Sequence, residues 1–390
     1  MTPYCLHCCQ LRGRPEGCSS CGPKAPGVAV PREEFALAPG TELNGQYRVG
    51  RRIGRGGFGL TYLAVDLALD MPVCIKEHLP RELAGRSRDG ASIQPLTQED
   101  GPVFRRTLDR FQQEGRSLAK LRGHPNVVQV LSYFEANNTA YLVTHFLDGV
   151  NAEDHCAKRG PLDLTEAISV GVALLNALRA VHAKKLVHRD VKPANVYITR
   201  DEMVVLLDFG AARTVVNKGQ SMTRLWTPGY APLEQQRTGG RIGPWTDVYA
   251  VAATLYRLLA GKRPPDASER ASPNNPAPLV PLEQLTRGRV GPGISSVIHI
   301  AMSLDIDDRF RTASAFQSAL LQALDSDQGR QADATAAPSP KPPPKPPPKP
   351  PAVVHAVEPV EPAERRRWVP RLGGLASVGC LGLLVMALVL

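Results

Sequence analysis

The sequence predicts a two-lobed α+β body with a strand-rich first part and a helical second part. Short apolar runs broken by glycines or turn residues, "YRVGRRIG", "GLTYLAVD" and "MPVCIKE", are typical of strands joined by hairpins. Later segments, "LTEAISVGVALLNALRAVHAKK" and "DVYAVAATLYRLLAG", have the three-to-four spacing of amphipathic or buried helices. Because the strands precede the helices, the order favours an α+β fold over an alternating βαβ sheet.

Composition indicates a folded body with a basic tail. The chain has 390 residues, of which 43% are hydrophobic, so it can bury one large core or two. The net charge of +10 suggests nucleic-acid binding, but the basic residues form no clustered face with interleaved aromatics. Several lie in the tail near an apolar segment, which suits an anionic membrane surface better: Lys341, Lys345, Lys349, Arg365, Arg366, Arg367 and Arg371. We therefore expect no nucleic-acid partner.

Four zones differ in composition. A Cys-rich start, residues 1–27, precedes the mixed body at residues 47–324, with the first lobe at about 47–147 and the second at about 148–324. Residues 325–371 form a Pro-rich and basic linker, and "PSPKPPPKPPPKPPA" within it predicts a stiff polyproline II spacer. The alternative for this stretch is a ligand for an aromatic-lined groove in a protein partner.

The last zone, residues 372–390, predicts a transmembrane helix. It carries no charge and would reach roughly 28 Å as a helix at about 1.5 Å per residue, close to the hydrocarbon thickness of a bilayer. A buried core helix is the alternative. The flank "RRRWVPR" supplies basic residues and an interfacial tryptophan for the inner side. No cleavable export signal is visible in "MTPYCLHCCQLRGRP", so we expect a single-pass anchor in the inner membrane and a cytoplasmic body.

A glycine-rich hairpin opens the body. In "IGRGGFGLTY", Gly54, Gly56 and Gly59 would let backbone amides approach phosphate oxygens, although glycines can also simply make a hairpin. A dinucleotide-binding turn would lead into a helix, whereas a strand follows here, so a Rossmann site is excluded. Lys76 lies on a later strand in "VCIKE", and Glu114 lies on a helix from which it can form an ion pair with that lysine.

Two further segments complete a recognisable set, "LVHRDVKPANVYIT" and "VVLLDFGAAR". With them the sequence resembles the eukaryotic-like serine/threonine protein kinases of bacteria, from about Tyr47 to Leu324. The family's motifs occur in the family's order: glycine-rich loop, strand lysine, helix glutamate, HRD, DFG, an APE-like "APLE" and a late arginine in "DDRFRTASAF". The resemblance implies the two-lobed protein kinase fold, protein substrates, and ATP and Mg²⁺ as cofactors.

The resemblance also implies roles for individual residues. Asp190 corresponds to the base that orients the substrate hydroxyl, and Lys192 is placed to reach the γ-phosphate. Asn195 and Asp208 match the Mg²⁺ ligands. Asp247 matches the aspartate that holds the catalytic-loop backbone.

The same resemblance implies where the nucleotide binds, because "YLVTHFLDG" is similar to the strand and hinge that receive adenine. Thr144 holds the gatekeeper place, and Phe146 and Leu147 would offer backbone hydrogen bonds to adenine. Ile53, Gly54, Gly56, Gly59, Lys76 and Glu114 complete the predicted ATP-binding set. His145, beside the gatekeeper, is expected to face solvent.

Control is expected at the activation segment. Arg189 precedes the predicted base and can pair with a phosphate on that segment, where Ser221, Thr223 and Thr214 are the candidates for autophosphorylation and Thr223 is the first choice. A constitutive enzyme with a solvated Arg189 is the alternative. Thr227 is expected to contact the catalytic loop.

Some positions depart from the family pattern. The segment between Lys76 and Glu114 is long, and residues 80–103 are expected to form a loop that bears on helix position. Cys74 replaces the usual alanine near adenine, and Glu234 of "APLE" is expected to pair with Arg309.

The first zone contains paired cysteines. Cys5 and Cys8 form one C-x₂-C pair, and Cys18 and Cys21 form another. Four thiolates can close a tetrahedral Zn²⁺ site, which predicts a zinc-ribbon-like module and a possible docking site for a protein partner. Disulfides and an iron–sulfur or redox site are the alternatives, the former disfavoured in a reducing cytoplasm.

The sequence thus favours an active, membrane-tethered kinase. A pseudokinase or signalling scaffold with the same fold is the main alternative. The presence of Lys76, Asp190, Asn195 and Asp208 argues against it.

Overall fold

The computed structural model describes Cys5 and residues 35–57, 59–208 and 226–336, with side chains described as far as Arg330. These residues belong to a unit that ends at Ala337. Strands predominate before residue 147 and helices after it, which confirms the two-lobed α+β prediction.

The first lobe is built on a six-stranded antiparallel sheet with the spatial order β1-β2-β3-β4-β8-β7. A separate hairpin, β5–β6, and one long helix complete this lobe. The elements are β1 (Glu42–Leu43), β2 (Tyr47–Gly56), β3 (Gly59–Asp66), β4 (Met71–His78), β5 (Ala84–Arg86), β6 (Ile93–Pro95), α1 (Asp100–Ala119), β7 (Val130–Ala136) and β8 (Thr139–His145).

The second lobe holds a small three-stranded sheet in the order β11-β10-β9 and eight helices within the described residues. A 3₁₀ turn at Pro193–Asn195 precedes β10. The elements are β9 (Gly149–Asn151), α2 (Ala152–Arg159), α3 (Leu164–Ala183), β10 (Val196–Thr199), β11 (Val204–Leu206), α4 (Leu233–Gln236), α5 (Pro244–Ala260), α6 (Ala267–Arg270), α7 (Leu282–Leu285), α8 (Pro292–Ala301) and α9 (Ala313–Ala336).

Helix α3 is the centre of the second lobe. Asp163 caps it by accepting from the Glu166 amide at 2.8 Å, and Glu166 accepts from the Asp163 amide at 3.0 Å in return. Among the described residues, α3 is the helix that is long and apolar enough to cross a membrane, but half of that apolar stretch is buried within the body. Because α3 packs against α5 and α9, its hydrophobicity is explained by the core.

The segment between α1 and β7 of the first lobe is hydrogen-bonded to strand β11 of the second lobe. The amides of Val128 and Leu206 donate to Leu206 and Asn126 respectively, and Asn126 Nδ2 donates to Val204 at 2.8 Å. These bonds tie strand β11 to the chain between α1 and β7. Because Asp208 lies two residues after the end of β11, these hydrogen bonds place it beneath the sheet of the first lobe.

The folded body extends beyond residues 47–324. Leu37 and Leu43 are 3% and 2% exposed in the core of the first lobe, and α9 continues to Ala336. The expectation of a loop at residues 80–103 was wrong in part. Strands β5 and β6 pair there with Arg86 opposite Ile93, and α1 begins within the segment at Asp100.

Candidate active site

The strand lysine lies between two carboxylates. Lys76 Nζ is 2.9 Å from Glu114 Oε1 on α1 and 3.0 Å from Asp208 Oδ1. The Glu114 side chain is 2% exposed, whereas that of Asp208 is 55% exposed towards the cleft. The structure therefore brings the predicted lysine and glutamate together and adds Asp208 as a second partner for the ammonium.

These contacts fix the charge state of the group. Burial alone would lower the pKa of Lys76, but the charges of Asp208 and Glu114 outweigh burial and raise it above its usual value. For Asp208, desolvation within the cleft opposes the charged form, yet the Lys76 ammonium holds the pKa of this carboxyl below its usual range. Both groups are therefore charged at neutral pH.

A second cluster lies on the catalytic loop. Asn195 Nδ2 donates at 2.8 Å to both the carboxylate and the backbone carbonyl of Asp190, and Lys192 Nζ lies 3.0 Å from Asp190 Oδ2. Thr227 Oγ1 accepts from Lys192 at 3.1 Å and donates to Asp190 Oδ1 at 3.3 Å. The predicted contact of Thr227 with this loop is confirmed by these distances.

One buried aspartate holds the backbone of that loop. Asp247 on α5 is fully buried and accepts from the amides of Arg189 at 2.8 Å and His188 at 2.9 Å. His182 Nε2 lies 2.8 Å from the same carboxylate. These bonds hold a turn in which Arg189 has φ of +67°, a left-handed conformation that costs free energy in a non-glycine residue. The predicted support by Asp247 is present in the structure.

His188 links the catalytic loop to the segment that carries Asp208. Its Nε2 is 2.9 Å from the Leu207 carbonyl, and its Nδ1 accepts from the Asp190 amide at 3.2 Å. Burial lowers the pKa of His188 despite the nearby carboxylates, so the ring is neutral with its proton on Nε2. The motif alone did not reveal this link.

A cavity of about 210 Å³ lies between the lobes above Asp208. The predicted residues Ile53, Gly54, Lys76, Thr144, Phe146 and Leu147 line it. His145 is exposed at its edge, as expected. A larger cavity of about 790 Å³ lies in the second lobe between α2, α3 and the small sheet, and it contains none of these residues.

Sequence reasoning missed part of the cavity wall. Thr61, Tyr197 and Leu207 also line it, together with the noted Cys74. Tyr197 donates its hydroxyl proton to the Gly149 carbonyl at 2.9 Å, which fixes the ring. Burial raises the pKa of the Cys74 thiol to about 12, so the thiol stays protonated and forms an uncharged part of the cavity wall. Alternation along β3 from Gly59 could have indicated Thr61.

The glycine loop has one position with no room for a side chain. Gly56 pairs with Gly59 where β2 turns into β3. A Cβ on Gly59 would lie 2.0 Å from the Glu77 carbonyl oxygen, whereas one on Gly56 would meet no described atom within 4 Å. Gly59 therefore allows close packing of β3 against β4, whereas a side chain at position 56 would have open space among the described residues.

The APE-like element is held by a buried ion pair. Arg309 Nη1 and Nη2 lie 2.8 and 3.1 Å from the two carboxylate oxygens of Glu234, and the arginine side chain is fully buried. Thr246 adds a hydrogen bond to Glu234 at 3.1 Å. The expected pairing of Glu234 with Arg309 is confirmed by this geometry.

Several predicted residues lie outside the described part of the chain. These are Thr214, Ser221, Thr223, Cys8, Cys18, Cys21 and the apolar residues 372–390. Cys5 is described and buried. Among the described residues, no group of three or more His, Cys, Asp or Glu side chains is arranged to hold a metal ion.

Comparison with curated proteins places this site in a known family. The family model "Protein kinase domain" matches residues 47–278. Serine/threonine-protein kinase B of Synechocystis is 32% identical over 234 residues, which is 57% of this chain and 38% of that protein. PknD of Mycobacterium tuberculosis is 31% identical over 294 residues, 74% of this chain and 41% of that protein. The chain thus aligns with less than half the length of these two relatives.

Solved structures share the fold. The apo form of PpkA-294 matches with a TM-score of 0.65 and 30% identity, covering 73% of this chain and 99% of that one. The kinase domain of PknI from Mycobacterium tuberculosis matches with a TM-score of 0.54 and 25% identity, covering 74% and 99%. The family prediction is confirmed: the chain belongs to the protein kinase family, and its folded body is a serine/threonine protein kinase domain.

Proposed function

We propose that the whole protein is an active kinase that transfers the γ-phosphate of ATP to serine and threonine hydroxyls of proteins. The observation that supports this proposal is the arrangement of charged and polar side chains on both sides of the cleft. Lys76 is paired with Glu114 and Asp208 on one side, and Asp190 is bound by Lys192 and Asn195 on the other. A scaffold that only binds nucleotide would not need the second group.

The residues present fit ATP with Mg²⁺. Asn195 turns its Nδ2 towards Asp190, which leaves its carbonyl oxygen for a cation, and Asp208 uses only one carboxylate oxygen in its bond to Lys76. Oxygen donors of this kind suit a hard cation. When bound, Mg²⁺ supplies charge neutralisation along the phosphates. The roles of Asn195 and Asp208 as its ligands are part of the proposal.

The chain's own groups then divide the work of phosphoryl transfer. Lys76, fixed by Glu114, orients phosphate oxygens, while Asp190 accepts a hydrogen bond from the substrate hydroxyl and directs its oxygen at the γ-phosphate. Lys192 lies 3.0 Å from Asp190 and brings positive charge to the position where negative charge develops. Because the transition state is loose, positioning and electrostatics account for most of the rate.

The test is a transfer assay with the full chain, ATP, Mg²⁺ and a generic protein acceptor. Wild-type protein should place phosphate on serine or threonine, identified by mass spectrometry, and Asp190→Asn should lower the rate by at least about a hundredfold. Asp201→Asn, an exposed aspartate in a turn, is the matched control and should retain full activity. Absence of transfer by wild type, or equal transfer by Asp190→Asn, would contradict the proposal.

We also propose that phosphorylation of the activation segment controls the activity of the kinase, because Arg189 is exposed and can bind a phosphate. Its backbone amide donates to Asp247, and the residue is exposed directly before Asp190. A phosphate on Thr223 or Ser221 would bind this guanidinium through charge-assisted hydrogen bonds. Mass spectrometry after incubation with ATP should find phosphate between residues 211 and 227, and its absence there would contradict this part.

Attachment to the inner membrane through residues 372–390 is proposed on their length, their lack of charge and the basic flank before them. The protein should resist alkaline carbonate extraction, and a version ending at Arg371 should be released by it. Equal extraction of both versions would contradict the anchor.

A structural zinc ion is proposed for Cys5, Cys8, Cys18 and Cys21, on the spacing of the two pairs. Metal analysis should find one zinc per chain in wild type and none in a Cys18→Ser, Cys21→Ser variant. Zinc retained by that variant, or iron in wild type, would contradict the assignment.

A further inference from the structure

Glu77 is a buried carboxylate that the proposed mechanism does not use. It follows Lys76 on β4, so the two side chains point to opposite faces of the sheet. Glu77 is 0% exposed and accepts from the hydroxyls of Tyr62 at 2.7 Å and Tyr141 at 2.9 Å. The charge that balances it comes from the β5–β6 hairpin, where Arg86 Nη2 lies 2.5 Å away.

Arg86 uses all three of its nitrogens. Besides the bond to Glu77, Nη1 donates to the Ala91 carbonyl at 2.6 Å and Nε donates to the Phe35 carbonyl at 2.8 Å. Burial would lower the pKa of Arg86, but Glu77 outweighs burial and raises it, so the guanidinium stays charged. The arginine thus ties the hairpin and the chain at Phe35 to the back of strand β4.

The chain before the first strand takes part in the same cluster. The Leu37 amide donates to the Tyr62 hydroxyl at 3.1 Å, and Arg81 lies over the Phe35 ring at 4.6 Å from its centroid. Phe35 and Leu37 precede the residues matched by the family model, and the hairpin lies between strand β4 and helix α1. We call residues 35–37 together with the β5–β6 hairpin the rear clamp.

Glu77 also contacts the glycine loop through its backbone. It pairs with Leu60 on β3, and its carbonyl fills the space where a side chain of Gly59 would lie. A shift of this residue would therefore move the loop that covers the phosphates and the neighbouring Lys76 together. The rear clamp thus contacts a strand position that adjoins both the glycine loop and Lys76.

We propose that Glu77 and Arg86 form a positioning pair through which the rear clamp sets the affinity of the cleft for ATP. The pair touches no substrate and acts by fixing the register of β4 against β3. This inference rests on the proposed function in that the ligand is ATP with Mg²⁺. Its consequence is that ATP affinity depends on residues far from the cleft surface.

The experiment compares Arg86→Met with Arg88→Met, an exposed arginine of the same hairpin, in the full chain well below the melting temperature. Binding of ATP–Mg²⁺ by calorimetry and KM and kcat from the transfer assay are measured for both. Arg86→Met should weaken ATP binding and raise KM for ATP by about tenfold, since small displacements of positioning groups have effects of that order or more. Arg88→Met should leave both unchanged.

Two further variants separate positioning from folding. Arg86→Lys keeps the charge but loses the three-nitrogen fork, and it should fold and show an intermediate rise in KM. The double variant Glu77→Gln, Arg86→Met removes the unpaired buried charge, so it should regain stability while ATP binding stays weak.

The outcomes distinguish this inference from the proposed function. Wild-type ATP affinity in a folded Arg86→Met, or recovery of affinity together with stability in the double variant, would overturn the positioning role. If wild type transferred no phosphate, the calorimetric comparison would still decide the role of the pair.

Discussion

Replacing Asp247 by asparagine tests how the catalytic loop is held. In the structure its two carboxylate oxygens accept three hydrogen bonds, from the amides of His188 and Arg189 and from His182. An asparagine offers one oxygen, so whichever way it turns, its NH₂ group faces at least one N–H donor that it cannot accept from.

The size of the effect follows from these contacts. Hydrogen bonds to a charged group contribute about 1.5–3 kcal/mol each and neutral ones about 1, so three weakened or lost bonds should cost about 3 kcal/mol of the free energy of unfolding. That is a large share of the roughly 5–15 kcal/mol of a typical domain. Because the loop carries Asp190, kcat should fall by about a hundredfold. KM for ATP should change little, since Lys76 and the cavity wall lie on other elements.

The assays are urea unfolding and steady-state transfer kinetics on the same preparations. Asp163→Asn is the matched control: it is exposed, and asparagine caps a helix as well as aspartate does, so stability and rate should stay as in wild type. An Asp247→Asn protein with wild-type kcat and a loss of less than about 1 kcal/mol would refute the assignment of this aspartate as the support of the loop.

Other perturbations give equally definite results. Arg309→Met should cost about 3–5 kcal/mol in urea unfolding by leaving Glu234 buried and unpaired, and adding Glu234→Gln should restore part of it, whereas simple addition of losses would contradict the buried pair. Burial lowers the pKa of His78 to about 3, so the unfolded chain takes up the proton first as pH falls below about 6.5. His78 should therefore account for about 2 kcal/mol of the free energy of unfolding that wild type loses between pH 7.5 and pH 5, and the loss in His78→Gln should be smaller by that amount. Gly59→Ala should weaken ATP binding by about tenfold or more, because its Cβ would clash with the backbone carbonyl of Glu77. Gly57→Ala has open space around its Cβ and should bind ATP normally in calorimetry.

Motif order predicted several of the side-chain contacts in this domain, because each motif carries its own local geometry. The Lys76–Glu114 pair, the contact of Thr227 with the catalytic loop and the Glu234–Arg309 pair all follow from family spacing and are present. The bond between Lys76 and Asp208 was not predicted, since it spans 132 positions and depends on how the two lobes meet.

Tertiary contacts explain the features that the sequence did not reveal. Strands β5 and β6 have three residues each, too short for a period-two pattern to stand out, and they are fixed by Arg86 rather than by their own propensity. Tyr197 and Thr61 come from separate strands in separate lobes, and only folding places both at the cavity. Wall positions of this kind carry no local signature.

The ion pair of Glu234 with Arg309 also sets the smallest fragment that can be expected to fold. The residues matched by the family model end at 278, yet Arg309 and the buried Phe316 and Leu320 come later in the chain. A protein cut at that limit would keep a buried carboxylate without its counter-charge and would expose the apolar side of α3 that α9 covers. At the other limit, a start at Tyr47 would remove Leu37 and Leu43 from the first core. A recombinant catalytic domain should therefore run from about residue 35 to about residue 330, and fragments cut at the family limits should aggregate.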